Sequence, residues 1–340
     1  MVLLAVNLRQ RPVDRAQTAG IAAATEPGDL RIMAGANSPK YVDASGHLWI
    51  GDKYFTGGET LSRPDVRILR TLDTALYQQA RVGDFRYDIP LKTGLYELHL
   101  HFAEILQPGS FANGGEGSRK FHVALNGKRL LTDFDVSADS GALQAADERV
   151  FTDVSPATDG FLHLQFSSSV GRAILSGLEL RRQDRPHEML PVRLVTRFRG
   201  HYDHDGAFWE SDRFSQGGTA ALRSVPVSGS SEPGLFSSER FGNFSYFIPV
   251  ADGRYTVTLR FAESVFGVDT RGRRLFDIYC NGVVLERELD ILRDARAANT
   301  AVEKSFAGLK ANAQGKLVLS FVPVTGYATV RAIEVVDERR

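Results

Sequence analysis

The chain repeats itself, and a repeat of this length dictates two copies of one fold rather than one large fold. Gly46-x-x-Trp49-x-x-Asp52-x-Tyr54-x-x-Gly57-Gly58 recurs as Gly206-x-x-Trp209-x-x-Asp212-x-Phe214-x-x-Gly217-Gly218, at an offset of 160 residues. Arg81-Val-Gly83-Asp-Phe85-Arg-Tyr87-Asp-Ile89-Pro90 returns as Arg240-Phe-Gly242-Asn-Phe244-Ser-Tyr246-Phe-Ile248-Pro249, offset 159, and runs on through Phe102-Ala103-Glu104 and Phe261-Ala262-Glu263. Arg119-Lys-Phe121 with Asn126-Gly127 matches Arg274-Leu-Phe276 with Asn281-Gly282 at offset 155. Leu162 to Phe166 pairs with Leu317 to Phe321, and Leu178-Glu179-Leu180 with Ile333-Glu334-Val335.

Co-linear matches with so little drift make the chain a tandem of homologous domains, 31–182 and 191–340. The polar, proline-bearing stretch 183–190 joins them. The change of offset places an insertion in the first copy between Glu104 and Arg119, in a glycine-rich surface loop. Residues 1–30 show little periodicity and read as a disordered leader or linker, the alternative being the trimmed end of a membrane anchor. The apolar run Met1 to Val6 is too short to span a bilayer, so this segment inserts no helix.

Charge narrows the partners. The chain carries 41 basic and 41 acidic residues, which argues against nucleic acid or another polyanion. Its single cysteine, Cys280, closes no intramolecular disulfide and builds no cysteine-rich metal site. No cofactor is implied, because no phosphate-binding glycine loop or Ser-His-Asp arrangement is present.

Leu95 to Phe102 and Tyr255 to Phe261 alternate apolar and polar residues and read as half-buried strands. Asn126-Gly127 and Asn281-Gly282 are strong hairpin signals. No long stretch shows a helical period. The fold class is therefore all-β, with two tandem jelly-roll β-sandwiches.

The ordered set Trp-x-x-Asp-x-Tyr with Gly-Gly, Leu76-Tyr77-Gln-x-x-Arg81, Phe-x-Tyr-x-Ile-Pro, His101-Phe-Ala-Glu104, Arg-x-Phe-x-Val and Asn-Gly resembles the malectin domains over both halves. The resemblance implies a galactose-binding-like jelly roll and a non-catalytic carbohydrate-binding module. Such modules occur in endoplasmic-reticulum malectin, in plant receptor kinases and on bacterial enzymes or anchors. For this chain it implies a bacterial, extracytoplasmic protein: periplasmic, at the cell surface or secreted, and part of a membrane-anchored protein. In the animal lectin, loop tyrosines, a phenylalanine and an aspartate at one end of the sandwich hold the sugar. The matching positions are Val82 and Phe241; Leu106-Gln107 and Val265-Phe266; Tyr54-Phe55 and Phe214; and Gly171 and Gly326, the last beside Tyr327. The second copy keeps more of this set, and neither keeps the aspartate.

A sugar offers an apolar face and a rim of hydroxyls, so its site needs aromatic platforms beside hydrogen-bonding groups. The candidates in the second copy are Phe241, Phe266, Asp269, Arg271 and Tyr327, with Phe214. Those in the first are Phe111 and Asn113 in the longer loop, with Tyr54 and Tyr77. Trp49 and Trp209 are expected in the core, and Asp52 and Asp212 as turn-fixing side chains. His201-Tyr-Asp203-His204-Asp205 reads as a solvated turn rather than a metal site. Glu104 and Glu263 supply one carboxylate per copy, whereas a glycosidase needs two across the scissile bond. The leading expectation is a glycan partner. The alternative is a structural or protein-recognition module with a protein partner.

Overall fold

The computed structural model describes residues 29–105, 115–266 and 270–339. The predicted leader and the first copy's inserted loop, with Phe111 and Asn113, lie outside them, as does Asp269. In the first module one sheet runs, in order, Lys40–Val42, Leu48–Ile50, Leu30–Met33, Gly177–Gln183, Leu95–Phe102, Asp147–Val154. The facing sheet runs Ile174–Leu175, Gln79–Pro90, Phe161–Val170, Lys120–Leu125, Lys128–Phe134, with Phe55–Ser62 also paired to Gln79–Pro90. The second module repeats this, except that its hairpin His201–Tyr202 with Phe208–Trp209 forms a separate two-stranded sheet. Val192–Val195, Ala332–Asp337, Tyr255–Phe261 and Val302–Leu309 form one sheet. Ser215–Leu222, Ser238–Pro249, Lys316–Thr325, Leu275–Cys280 and Val283–Leu289 form the other, and Ala328–Val330 joins Ser238–Pro249. Each module is thus a mainly antiparallel β-sandwich of jelly-roll type, with Leu30–Met33 and Leu48–Ile50 parallel in the first, around an apolar core. Both Asn-Gly pairs turn their hairpins with positive φ at each residue, +46° and +79° at Asn126-Gly127 and +49° and +79° at Asn281-Gly282. These are the dihedrals that two-residue turns demand.

The repeated motifs interlock inside each sandwich. The carboxylate of Asp52 accepts from Arg81 at 2.7 Å, from the Tyr87 hydroxyl at 2.7 Å and from the Gly35 amide at 2.5 Å. Asp212 takes Arg240 at 2.7 Å and Tyr246 at 2.6 Å. The expectation that these aspartates fix turns is thereby corrected: each is the acceptor hub joining the first repeated block to the second across the core. Both tryptophans are buried. Their indole N–H groups donate to the aspartates six residues earlier, Trp49 to Asp43 at 3.0 Å and Trp209 to Asp203 at 2.8 Å. Asp203 is thus spent on the indole and on the Ala207 amide at 2.7 Å. Among the described residues no cluster of three histidine, cysteine, aspartate or glutamate side chains is placed to hold a metal ion.

One strand departs from the half-buried expectation. Tyr255–Phe261 alternates buried and half-buried residues, but in Leu95–Phe102 every residue after Leu95 is buried. Its outward side chains Glu97, His99 and His101 are covered because the second module packs on that face. Arg213 reaches Glu148 at 2.6 Å, and Glu148 also binds His99 at 2.6 Å. The Leu190 amide donates to Glu97, which also binds His99 at 3.1 Å. Lys316, in the second module, lies 2.7 Å from both Asp139 and Asp147 of the first. Arg70 stacks on Phe247 at 3.6 Å and hydrogen-bonds Gln216 at 2.7 Å. Burial opposes charge on His99, yet the flanking glutamates outweigh it and raise its pKa to about 9. Burial dominates at His101 and lowers it to about 4.

Candidate functional site

At one end of the second sandwich the local sequence builds an aromatic and guanidinium cluster. Strand Ser238–Pro249 places Glu239 and Phe241 two residues apart and so on one face. It pairs Phe241 with Thr219 on one side and Thr329 on the other. The turn leading into Ala328–Val330 brings Tyr327 over, ring centroids 6.1 Å from Phe241 in an edge-on contact. Tyr327 is 60% exposed and Phe241 half-buried, so the pair presents aromatic surface to solvent.

Arginines brace the cluster. Arg274 binds Glu263 at 2.5 Å, donates to the Tyr327 carbonyl at 3.0 Å and lies 5.4 Å from the Phe266 ring. Glu263 also accepts the amides of Val265 at 2.8 Å and Phe266 at 3.2 Å. A single buried ion pair therefore positions both the loop after Phe-Ala-Glu and the turn carrying Tyr327. Arg223 lies 5.9 Å from the Phe241 ring and hydrogen-bonds Glu239 through Nε at 2.9 Å. Glu239 accepts as well from Thr329 at 3.0 Å. Behind them Arg331 is wholly buried. It donates to the carbonyls of Ala262 at 2.9 Å and Phe236 at 3.2 Å. Burial pushes its pKa down to about 10 against the pull of Glu239. Both carboxylates at this end are thus held by arginines.

The first module has the same brace and a different surface. Arg119 binds Glu104 at 2.7 Å and donates to the Arg172 carbonyl. At the positions of Phe241, Tyr327, Glu239, Thr329 and Arg331, however, stand Val82, Arg172, Ala80, Ile174 and Ser176. Val82 is buried, so no aromatic pair forms there. Gly171 and Gly326, where the related lectin has its aspartate, have φ of +62° and +68°. A β-carbon would lie 2.8 Å from the Ser118 carbonyl oxygen at Gly171 and 2.6 Å from the Arg273 carbonyl oxygen at Gly326. This backbone has no room for that aspartate.

Of the ten expected site residues, Phe241, Tyr327 and Phe266 belong to the braced cluster. Arg271 is exposed on the turn just before Arg274. Three others lie away from this cluster. Tyr77 is 4% exposed, its hydroxyl 3.0 Å from His101 Nδ1 in the first module's interior. Tyr54 and Phe214 occupy the same left-handed backbone position, φ +66° and +65°. They fasten neighbouring strands through their carbonyls, accepting from Asp88 at 2.8 Å and Phe247 at 3.0 Å. Phe214 also packs beneath Arg213, 4.3 Å away, at the junction between modules. Sequence reasoning missed Arg223, Glu239, Thr329 and Arg331. The signal that marks Glu239, Thr329 and Arg331 is their departure from the other copy.

Comparison with known proteins agrees with the doubled architecture. A region of 163 residues, 46% of this chain, is 33% identical to a kinesin-like protein KIN-14R of Arabidopsis thaliana and covers 14% of that protein. A match over 111 residues, 30% of this chain, is 32% identical to a probable LRR receptor-like serine/threonine-protein kinase of the same plant, At1g56140, and covers 11% of it. The chain thus spans a small part of the curated relatives it matches. These are plant proteins, which contradicts the expected bacterial setting. The crystal structure of plant receptor-like kinase FER aligns over 91% of this chain and 96% of its own, with 17% identity and a TM-score of 0.47. That of the plant peptide RALF23 in complex with FER and LLG2 aligns with 18% identity and a TM-score of 0.45. The Malectin domain family model matches residues 29–186 and again 195–333, and the chain belongs to the malectin-domain family.

Proposed function

We propose that this chain is a non-catalytic carbohydrate-binding protein, its modules spanning 31–182 and 191–340, with the principal glycan site at the braced end of the second. The observation that carries the reading is the Phe241–Tyr327 pair, 6.1 Å apart, left open to solvent beside guanidinium groups. A hexose ring can stack on such aromatic surface while its hydroxyls reach polar groups at the rim. In this reading Arg223, 5.9 Å from the Phe241 ring, and the exposed Arg271 donate to the sugar, and Phe266 extends the apolar floor. With Glu239 and Glu263 held by arginines, neither is free to serve as one of the carboxylate pair a glycosidase requires. The receptor-like kinase among the relatives supports an extracytoplasmic position within a longer, membrane-anchored protein. No helix among the described residues is long and apolar enough to cross a membrane.

The test is a glycan array probed with the full chain and with the Phe241→Ala, Tyr327→Ala double variant. Binding by the parent that weakens roughly tenfold or more in the variant supports the reading, since each aromatic contact contributes about 0.5–1.5 kcal/mol. Absence of glycan binding by the parent, or a variant that binds equally well, overturns it. One observation favours the alternative of a protein partner: exposed aliphatic side chains flank the cluster in sequence, Leu222 at 76% and Val265 at 55% exposure. A protein interface makes use of such residues and a sugar does not. Under that reading Leu222→Ser and Val265→Ser disturb a protein contact.

A further inference from the structure

Between the modules lies a cleft of about 690 Å³, within the roughly 300–1,000 Å³ typical of ligand sites. The hairpin of residues 40–50 and the segment around Asp73 form one wall, and residues 198–208 form the other. On the first wall the polar groups are fixed in advance. The Tyr41 hydroxyl donates to Asp73 at 2.8 Å, Asp73 accepts the Ala44 amide at 2.8 Å, and Asp43 is held by Trp49. The second wall carries Phe198 and Tyr202, 67% and 68% exposed, with Phe208 half-buried and 4.9 Å from Tyr202. Contacts between modules border the cleft: the Ser45 and Ser211 hydroxyls lie 3.0 Å apart, and His47 meets Phe208 edge-on at 5.3 Å.

The repeat separates what the fold needs from what it does not. The carboxylate contacts occur in both copies, since Asp203 holds Trp209 and Glu232 accepts the His204 amide at 2.9 Å just as Asp73 accepts that of Ala44. They serve the fold. The aromatics do not recur: at the same offset of 160 the first copy has Ser38, Val42 and Leu48 in place of Phe198, Tyr202 and Phe208. The hairpin therefore folds without them, and Phe198 and Tyr202 are left in water at a hydrophobic cost that packing within the chain does not offset.

We infer that the cleft between the modules is a second binding site, for a short neutral oligosaccharide whose C–H faces stack on Phe198 and Tyr202 and whose hydroxyls meet Tyr41 and Asp73. Ligand charge follows from the lining. Two carboxylates face the single Arg199 in this cleft, which repels a uronate or a sulfated sugar. Reaching across both walls, the ligand contacts both copies at once.

Hydroxyl-radical footprinting of the full chain tests this with neutral gluco-, manno- and xylo-hexaoses at millimolar concentration and an oligogalacturonate as acidic control. The expected result is protection of Phe198 and Tyr202 by a neutral hexaose and no protection by the acidic one. Calorimetry of the Phe198→Ala, Tyr202→Ala variant then shows roughly tenfold or greater weakening. If no neutral hexaose protects Phe198 and Tyr202, or the double variant binds as the parent does, the inference falls. Protection of Phe241 and Tyr327 is scored separately in the same footprint, so failure at the cleft and failure at the end of the second module are told apart.

Discussion

Gly326 has no room for a β-carbon, and that single fact removes an acidic side chain from the one place where the related lectin uses it. Its φ of +68° disfavours any side chain, and the Arg273 carbonyl oxygen 2.6 Å from an added β-carbon excludes one on contact. Gly326→Ala is expected to cost about 1–3 kcal/mol, read as a lower urea midpoint. Arg274 is the other decisive residue at this end. Cutting it back in Arg274→Ala leaves the buried Glu263 carboxylate unpaired, and such losses cost about 3–5 kcal/mol. The same variant frees Phe266 and the Tyr327 turn, so proteolysis between residues 263 and 274 is expected to quicken. Residues of this kind were partly legible. Phe241, Phe266 and Tyr327, which the structure brings to one end of the second module, were legible because loop aromatics stand out against a repeated core. Tyr54, Tyr77 and Phe214 lie away from that end for the complementary reason: Tyr54 and Phe214 stand at one repeated position, Tyr77 at the position of Phe236, and what both copies keep is what folding needs.

At the level of elements, the paired motifs prove to be the two halves of one lock. Trp-x-x-Asp supplies the acceptor, and Arg-x-Gly-x-Phe-x-Tyr supplies guanidinium and phenol from the adjacent sheet. Because the lock is duplicated, its energetics are duplicated. Tyr87→Phe and Tyr246→Phe each delete a hydroxyl from a buried carboxylate, and each is expected to cost about 1–3 kcal/mol. Chemical denaturation of the two variants side by side checks that the losses are similar. A large difference between them overturns the equivalence. The locks were invisible as contacts in the sequence, although their ingredients were plain, because pairing across a sandwich leaves no local spacing to read. Strand Leu95–Phe102 shows a second limit. Its alternation correctly gave a strand, but its polar face is covered by a neighbouring module, and no pattern internal to the strand distinguishes that face from one open to water.

For the whole molecule, the junction between modules is a buried array of charges, and it makes stability depend on pH. The pKa of His99 is raised from 6.5 to about 9 in the folded state. A group whose folded value is raised stabilises fully below its unfolded pKa and loses that contribution as pH rises through the folded value. Stability measured by urea midpoint is therefore expected to fall between pH 6.5 and about 9, and His99→Gln should flatten that limb. His101, lowered to about 4 by burial, acts in the opposite sense: it weakens the fold as pH drops from 6.5 toward 4. Arg213→Ala, which strips Glu148 of its partner from the second module, is expected to lower the midpoint and loosen the junction, detectable as faster amide exchange in strand Leu95–Phe102.

The duplication that announces itself in the sequence has become irreversible. Lys316 of one copy pairs with Asp139 and Asp147 of the other, and an excised first copy would lose that cation and leave Asp139 to Arg149 alone. The halves descend from one pattern but can no longer stand in for each other. Held so, they would act as a gauge if both proposed sites bind: two points at a fixed span select among ligands by length as well as by chemistry, and a chain too short to bridge them forfeits the gain of simultaneous attachment.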